Sequence, residues 1–344
     1  MRIAHLLLTS RFAGSERHAL ELAAAQAEAG HEVRLVIRRK AAQDRPDAIA
    51  HRVDPKVGVE VVDDWLARWP AKRQAAKFVR SWKPDVAHAH LGSACKSLRG
   101  LDGTCLRVST LHIEYKPQHH AHLDGLIAIA PWQLQAIPAA LRANSVQIDN
   151  WTVPVAPSPG ARERIRAGHG IAADAFVFGA LGRVEHSKGL DVLVEAFKRA
   201  DIPGARLVIV GQGKAFDAVR AAAPDGVVMP GFTDRAHDWL ASFDVFVSAA
   251  RSEPFGLVFL EAMSHGLPVV ASASQGGSYL APLFGRPPVP VGDAAALAQA
   301  LVEVHAAGRR RVDYPMQRFD RAARVDEVEA FYRAGIARVR HAAG

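Results

Sequence analysis

Along the chain, short apolar or β-branched runs alternate with stretches whose apolar positions recur every three or four residues. IAHLLLT, EVRLVI, VEVVD, DVAHAH, RVSTLH, GLIAIA and VQIDN read as strands in the first half. FVFGALG, RLVIVG, GVVMPG, VFVSA and PVVAS do so in the second, with PVPV as a last candidate. Between them lie helical patterns such as SERHALELAAAQAEAG. Strands and helices taking turns in this way form the βαβ pattern of parallel sheets. The stretch TVPVAPSPGAR, with Pro154, Pro157, Pro159 and Gly160, breaks the alternation and reads as a linker. The expected fold class is therefore α/β, with two Rossmann-like parallel-sheet domains at 1–152 and 162–322 joined by 153–161. A length of 344 residues accommodates both.

In open parallel sheets, ligands bind beyond the carboxyl ends of the strands. That rule gathers Gly14, His88, His90, His112 and Arg183 at one ligand edge, since each ends or follows a predicted strand. A dinucleotide fold would show GxGxxG after the first strand, and only Gly14 stands there. Gly211 and Gly213 make a GxG, but Phe216 occupies the third position. Gly14 reads either as a close backbone approach to an anion at a helix N-terminus or as a plain turn glycine. In GRVEHSKGLDVL, Arg183 follows a strand and Lys188 opens a helix. Such a pair converges on a diphosphate, or else is two solvated surface cations.

The stretch RSEPFGLVFLEAMSHGLPVVAS places Glu253 in a strand exit and predicts a helix from near Phe255 to just before Gly266. Backbone N–H groups at Phe255, Gly256 and Leu257 are then free at the ligand edge. Glu261 shares its helix face with Leu257 and Val258. An ionised carboxylate there needs hydrogen-bond donors, from a vicinal diol or from a salt bridge to another helix. The two glutamates span at most ~12 Å if all residues between them are helical, about the reach from a sugar across a diphosphate to a ribose.

These features, in this order, resemble the retaining glycosyltransferases of GT-B fold, specifically family four. The carriers are AGSERHALELA, KPDVAHAH, TLHIEY, GRVEHSKGLDVLVEAF, LVIVGQG, GFTDRAHDWLASFDVFVSA and, above all, SEPFGLVFLEAMSHGLPVVAS, the family's EX7E motif. The resemblance implies two domains facing across a cleft, with the last helix, about 323–344, crossing back to the first. It implies that Arg183 and Lys188 bind the diphosphate of a UDP- or GDP-sugar, that Gly14 lends it an amide, and that Glu261 holds the ribose. Glu253 and the backbone of Phe255, Gly256 and Leu257 would hold sugar hydroxyls, Phe232 and Thr233 would line the base, and His112 would sit beside the anomeric carbon. The implied reaction is retaining transfer to a hydroxyl of a glycan or lipid-linked acceptor, in cell-surface polysaccharide or lipopolysaccharide synthesis. A sugar-nucleotide epimerase or a phosphorylase of the same fold is the alternative. No cofactor is expected, and no metal, because DxD is absent. The chain departs from the family at Asn150-Trp151, where Asn-Gly is frequent, at Ser278-Tyr279, where an acid is common, and at Ala249-Ala250 in place of Pro-Ser.

Composition narrows the picture further. With 49% hydrophobic and 23% charged residues, the chain is of ordinary globular type. Its charge of +8 is lopsided, with 21 Lys and Arg against 15 Asp and Glu up to residue 155. A basic first half favours anionic partners, but no nucleic-acid-binding motif accompanies it. Cys95 and Cys105 lack any disulfide or thiolate-metal spacing, so a reducing, cytoplasmic setting is expected. Arg11 interrupts the first apolar run before a signal peptide could form. The histidines at 88, 90, 112, 119, 120 and 122 show no metal-ligand spacing and read as acceptor contacts or surface positions. Residues 65–83 hold six Lys and Arg, no acid, and Trp65, Trp69 and Trp82. They read as a crossover helix whose basic face could meet an anionic membrane surface.

Overall fold

A computed structural model of the protein describes residues 1–10, 12–45, 48–63 and 70–343, with the side chains of 70, 342 and 343 excepted. The chain divides into two compact units, Met1–Asn150 with Arg321–Gly344, and Trp151–Asp320. Linker residues 153–161 thus belong to the second unit.

The first unit is built on seven strands, β1 (Arg2–Leu7), β2 (Glu32–Arg38), β3 (Gly58–Val62), β4 (Val86–His90), β5 (Leu106–Leu111), β6 (Gly125–Ala128) and β7 (Val146–Gln147). Every pairing is parallel and the order is β3-β2-β1-β4-β5-β6-β7. One face is apolar: Ala4, Leu6, Ala87 and Ala89 pack with Ala75 and Val79 of the helix Pro70–Trp82 and with Ala94 and Leu98. Successive side chains of a strand alternate between faces, so His5, His88 and His90 point to the other face. The helices Gly14–Glu28 and Arg321–Ala343 supply the partners of those rings there, Gln26 and Tyr332. In the first, Ala19, Leu22, Ala23 and Gln26 are buried at helical spacing; in the second, Val325, Val328, Glu329 and Tyr332 are.

The second unit has five strands, β8 (Val177–Leu181), β9 (Arg206–Val210), β10 (Val227–Gly231), β11 (Val245–Ser248) and β12 (Val269–Ala271). They are again all parallel, in the order β10-β9-β8-β11-β12. Burial on both faces explains why these strands read as nearly continuous apolar runs. The candidate strand PVPV forms a single bridge, Ser272 to Val289, because its prolines cannot donate to a ladder. At the amino ends of β8 and β11, the buried Asp244 carboxylate accepts from Arg162 at 2.6 Å, Arg166 at 2.9 Å and the Val177 amide at 2.8 Å. This cluster fastens the helix Ala161–Gly168 to the sheet.

Removing the carboxylate leaves the buried Arg166 guanidinium without its counter-charge. Asp244→Ala is expected to destabilise the second unit by about 3–5 kcal/mol. Urea denaturation would read this as an earlier first transition, and an unchanged midpoint would refute the anchoring role.

Candidate active site

In the second unit the strand order reverses between β8 and β11, and such a switch point leaves a crevice at the carboxyl ends of the two strands. Arg183 and Lys188 lie in the loop after β8, and Glu253 lies in the loop after β11. The two loops are clamped together. Arg251 binds Asp191 through two bonds of 2.7 Å, while the amides of Arg251 and Ser252 donate to the Ser187 carbonyl at 2.8 and 3.1 Å. Gly189, at φ +62°, permits this approach, since a β-carbon there would lie 2.0 Å from the Ala249 carbonyl oxygen.

The clamp brings Lys188 Nζ to 2.5 Å from Glu253 Oε2. Both side chains are largely covered, whereas Arg183 projects outward and pairs with Glu185 at 3.3 Å. The helix expected from Phe255 begins at Leu257 instead, because Gly256 takes the left-handed conformation at φ +90° and caps it. Among the described residues, the backbone N–H groups of Gly256, Leu257 and Val258 make no hydrogen bond. They are orphan donors at a helix N-terminus, a natural place for anionic or hydroxyl oxygens. Glu261 is buried in the second turn of that helix, and the Glu253 backbone is held by the Gly276 amide at 2.7 Å.

Phe232, just past β10, is 79% exposed and leaves a free aromatic face at the same edge of the sheet. Thr233 beside it accepts from the Arg235 amide at 3.0 Å. Sequence reasoning missed the Arg251–Asp191 clamp that supports this loop set, and it marked Tyr279 only as a departure from the family pattern, not as a packing partner. The Tyr279 ring lies 6.0 Å from Phe255 and its hydroxyl accepts from Arg318. No short motif marks them.

In the first unit, Gly14 opens its helix in an exposed position and without positive φ. His112 follows β5. The reading of the histidines as acceptor contacts or surface positions is corrected for several: His88 and His90 are wholly buried and His120 nearly so. His5, His18, Gln26 and Tyr332, which sequence reasoning did not associate with them, complete the group. His5 Nε2 lies 2.8 Å from Gln26 Oε1, His5 Nδ1 3.0 Å from His90 Nε2, and His90 Nδ1 3.1 Å from His112 Nε2. His88 meets Tyr332 at 2.5 Å and Thr110 at 2.9 Å. The strand pairing of His5 with His88 and the i, i+2 spacing in β4 put the rings side by side. Ring nitrogens of His5, His88 and His90 come within 4.8 Å of one another. All six are already engaged by protein groups, which makes the cluster a hydrogen-bonded core rather than an open ligand set. Among the described residues, none of these partners is a carboxylate.

Burial pushes His5 and His112 down to about 4, and holds His18, His88 and His90 well below the ordinary histidine value, with the neighbouring imidazoles adding to the effect on these last three. Tyr332 is pushed up by the same burial.

Two profiles match the chain, "Glycosyltransferase Family 4" over residues 12–178 and "Glycosyl transferases group 1" over residues 175–307. A D-inositol 3-phosphate glycosyltransferase of Pseudarthrobacter chlorophenolicus is 30% identical over 326 residues, spanning 77% of this chain and 75% of that protein. The lipopolysaccharide core biosynthesis glycosyltransferase LpsE of Rhizobium meliloti is 34% identical over 142 residues, which is 38% of this chain and 40% of that one. Among solved structures, Anabaena HepE in complex with UDP-glucose is similar in fold, with a TM-score of 0.77 at 20% identity, over 97% of this chain and 100% of that one. The chain belongs to glycosyltransferase family four. Its fold is GT-B, and it is a transferase.

The depressed histidines make stability depend on pH with a definite sign. Unfolded, they bind protons below about pH 6.5; folded, His5 and His112 do so only near pH 4. Their contribution is therefore full above about pH 6.5 and is lost as pH falls towards 4, each adding a slope of ~1.4 kcal/mol per pH unit. His120 and His265 act in the same direction. Urea denaturation at a series of pH values across this window should show the decline, and a flat profile would exclude it.

Proposed function

We propose that the protein transfers a sugar, with retention, from a UDP- or GDP-linked donor to a hydroxyl of a glycan or lipid-linked acceptor. The observation that carries this reading is the Lys188–Glu253 pair at the switch point, beside the free amides of Gly256, Leu257 and Val258. Breaking a glycosyl–phosphate bond builds negative charge on the leaving diphosphate and positive charge on the sugar. Preorganised cations and a helix N-terminus lower that barrier without reorganising. Lys188 and Arg183 take the diphosphate, and its arrival frees Glu253 for sugar hydroxyls together with the backbone of Phe255, Gly256 and Leu257. Phe232 and Thr233 face the base and Glu261 the ribose. In the first unit Gly14 lends an amide to the diphosphate, and His112 stands by the anomeric carbon. These groups supply the charge stabilisation from the chain itself, so the reaction needs no cofactor or metal. The similarity to LpsE supports an acceptor in lipopolysaccharide or another surface polysaccharide. The proposed setting is the cytoplasm, at the inner face of a membrane.

Among nucleotides, UDP or GDP is expected to raise the melting temperature most, since ~100 Kd of a ligand that binds only the folded state adds about 2.7 kcal/mol. Arg183→Ala and Lys188→Ala should each lower kcat/KM by ~10²-fold or more while leaving the fold intact. Near wild-type turnover in either variant would sink the assignment. Formation of a glycosylated acceptor, followed by mass spectrometry, separates a transferase from an epimerase or phosphorylase.

No helix among the described residues is long and apolar enough to cross a membrane. Trp65 and Trp69 lie outside the described residues. The helix Pro70–Trp82 buries Ala71, Ala75, Ala76 and Val79 and leaves Arg73, Lys77 and Arg80 exposed. That basic face is suited to an anionic lipid surface, at up to ~1 kcal/mol per charge. Flotation with liposomes should then depend on anionic lipid and weaken with salt; indifference to lipid charge would remove the membrane role.

A further inference from the structure

The row of imidazoles in the first unit has a direction. Gln26 Oε1, an oxygen, can only accept, so His5 Nε2 at 2.8 Å carries a proton. In a neutral ring the other nitrogen is then bare, and His5 Nδ1 accepts from His90 Nε2 at 3.0 Å. By the same step His90 Nδ1 is bare and accepts from His112 Nε2 at 3.1 Å. His112 is left with a bare Nδ1, for which no partner exists among the described residues. Each ring is thus held in the tautomer with the proton on Nε2, and one amide at the inner end decides all three.

The surroundings of the row agree with neutral rings. Gln26 Nε2 is buried and makes no hydrogen bond, so the amide meets the row through its oxygen. The groups that face the row are neutral ones: His88, held between Tyr332 and Thr110, and His18, whose ring stands edge-on to His112 at 5.1 Å. Nothing among the hydrogen-bond partners of His5, His90 and His112 would stabilise a charged ring.

We infer that Gln26, His5 and His90 are positioning residues that hold His112 as the neutral Nε2–H tautomer, with the Nδ1 lone pair open at the end of β5. The functional half of this inference rests on the reading that His112 stands by the anomeric carbon. A lone pair directed at a sugar that is gaining positive charge lowers its energy, whereas an imidazolium or an outward N–H raises it. Neutrality alone would not suffice, since the opposite tautomer is equally neutral and presents a donor.

The test is a long-range proton–nitrogen correlation spectrum of the full chain labelled with 15N-histidine, the His112 signals being assigned by their loss in His112→Asn. The wild-type protein is expected to show protonated Nε2 and bare Nδ1 for His112 from about pH 5.5 to pH 8. A protonated Nδ1, or an even mixture of tautomers, would overturn the inference without any variant. Gln26→Leu should convert His112 to a mixture. In transfer assays Gln26→Leu should lower kcat by about tenfold at unchanged donor KM. A mixed tautomer with unchanged kcat would overturn the functional half. If the wild-type protein transfers no sugar, the transferase reading fails alone, and the spectrum still decides the tautomer.

Discussion

The candidate site depends on one close approach, that of Gly189 to the Ala249 carbonyl. Any side chain at 189 would collide with backbone, and the φ of +62° is one that only glycine adopts freely. Because the loops after β8 and β11 touch there, Lys188 and Glu253 fall within ion-pair distance, although 65 residues separate them. The Arg251–Asp191 clamp holds the same two loops from outside. In the absence of ligand the pair is self-neutralising. In the proposed reading a diphosphate competes for the lysine with more charge than one carboxylate carries, so donor entry exchanges one partner for another. In the proposed reading this exchange exposes the glutamate only when there is a sugar for it to bind.

The two units put polarity into their cores in different places. In the second, the most heavily bonded buried charge described above is Asp244, at the amino ends of β8 and β11, across the sheet from the site. Its arginines hold a helix in place, and chemistry is left to the other edge. In the first, polarity runs along the strands: one face of β1 and β4 is lined with imidazoles that a stable fold alone would replace with leucine. A buried polar group costs free energy unless it is bonded, and here the rings bond to one another and to Gln26, Thr110 and Tyr332. Tyr332 comes from the C-terminal helix, so that helix helps to satisfy the core as well as covering it. A network of this kind is sensitive to the loss of any member, because the remainder is left half satisfied.

How far the sequence discloses this structure follows from the range of each interaction. The strands were legible because a parallel strand is buried on both faces and reads as an apolar run, and the helix Gly14–Glu28 because its buried positions recur every three or four residues. PVPV misled because β-branched residues suit a strand while its prolines cannot join one. The helix after Glu253 starts two residues later than expected, since a glycine in left-handed conformation resembles any other glycine in sequence. The histidines misled most. Alternation in DVAHAH places two of them on one face, yet only the strand order, with β4 beside β1, reveals that His5 stands next to them. Pairings across 65 or 85 residues leave no local trace.

Two departures from the family pattern acquire a physical meaning. Trp151 is buried, so the point where the chain enters the second unit is anchored by a large ring where a glycine would leave it loose. Tyr279 stands where an acid is common, and it packs beside Phe255, which precedes the left-handed Gly256. Arg318 lies over the Tyr279 ring at 5.1 Å and also bonds its hydroxyl, so the phenol is a support and its oxygen is already occupied. Where the family commonly has an acid, this chain thus has an aromatic ring packed beside the residue that leads into the helix Leu257–Ser264. In the proposed reading, sugar recognition then falls to Glu253 and to the backbone amides of Gly256, Leu257 and Val258, with the Tyr279 ring packed beside the turn that precedes them. Backbone donors read the position of a hydroxyl oxygen more than its identity, so selectivity at this site must come from the shape of the turn that presents them.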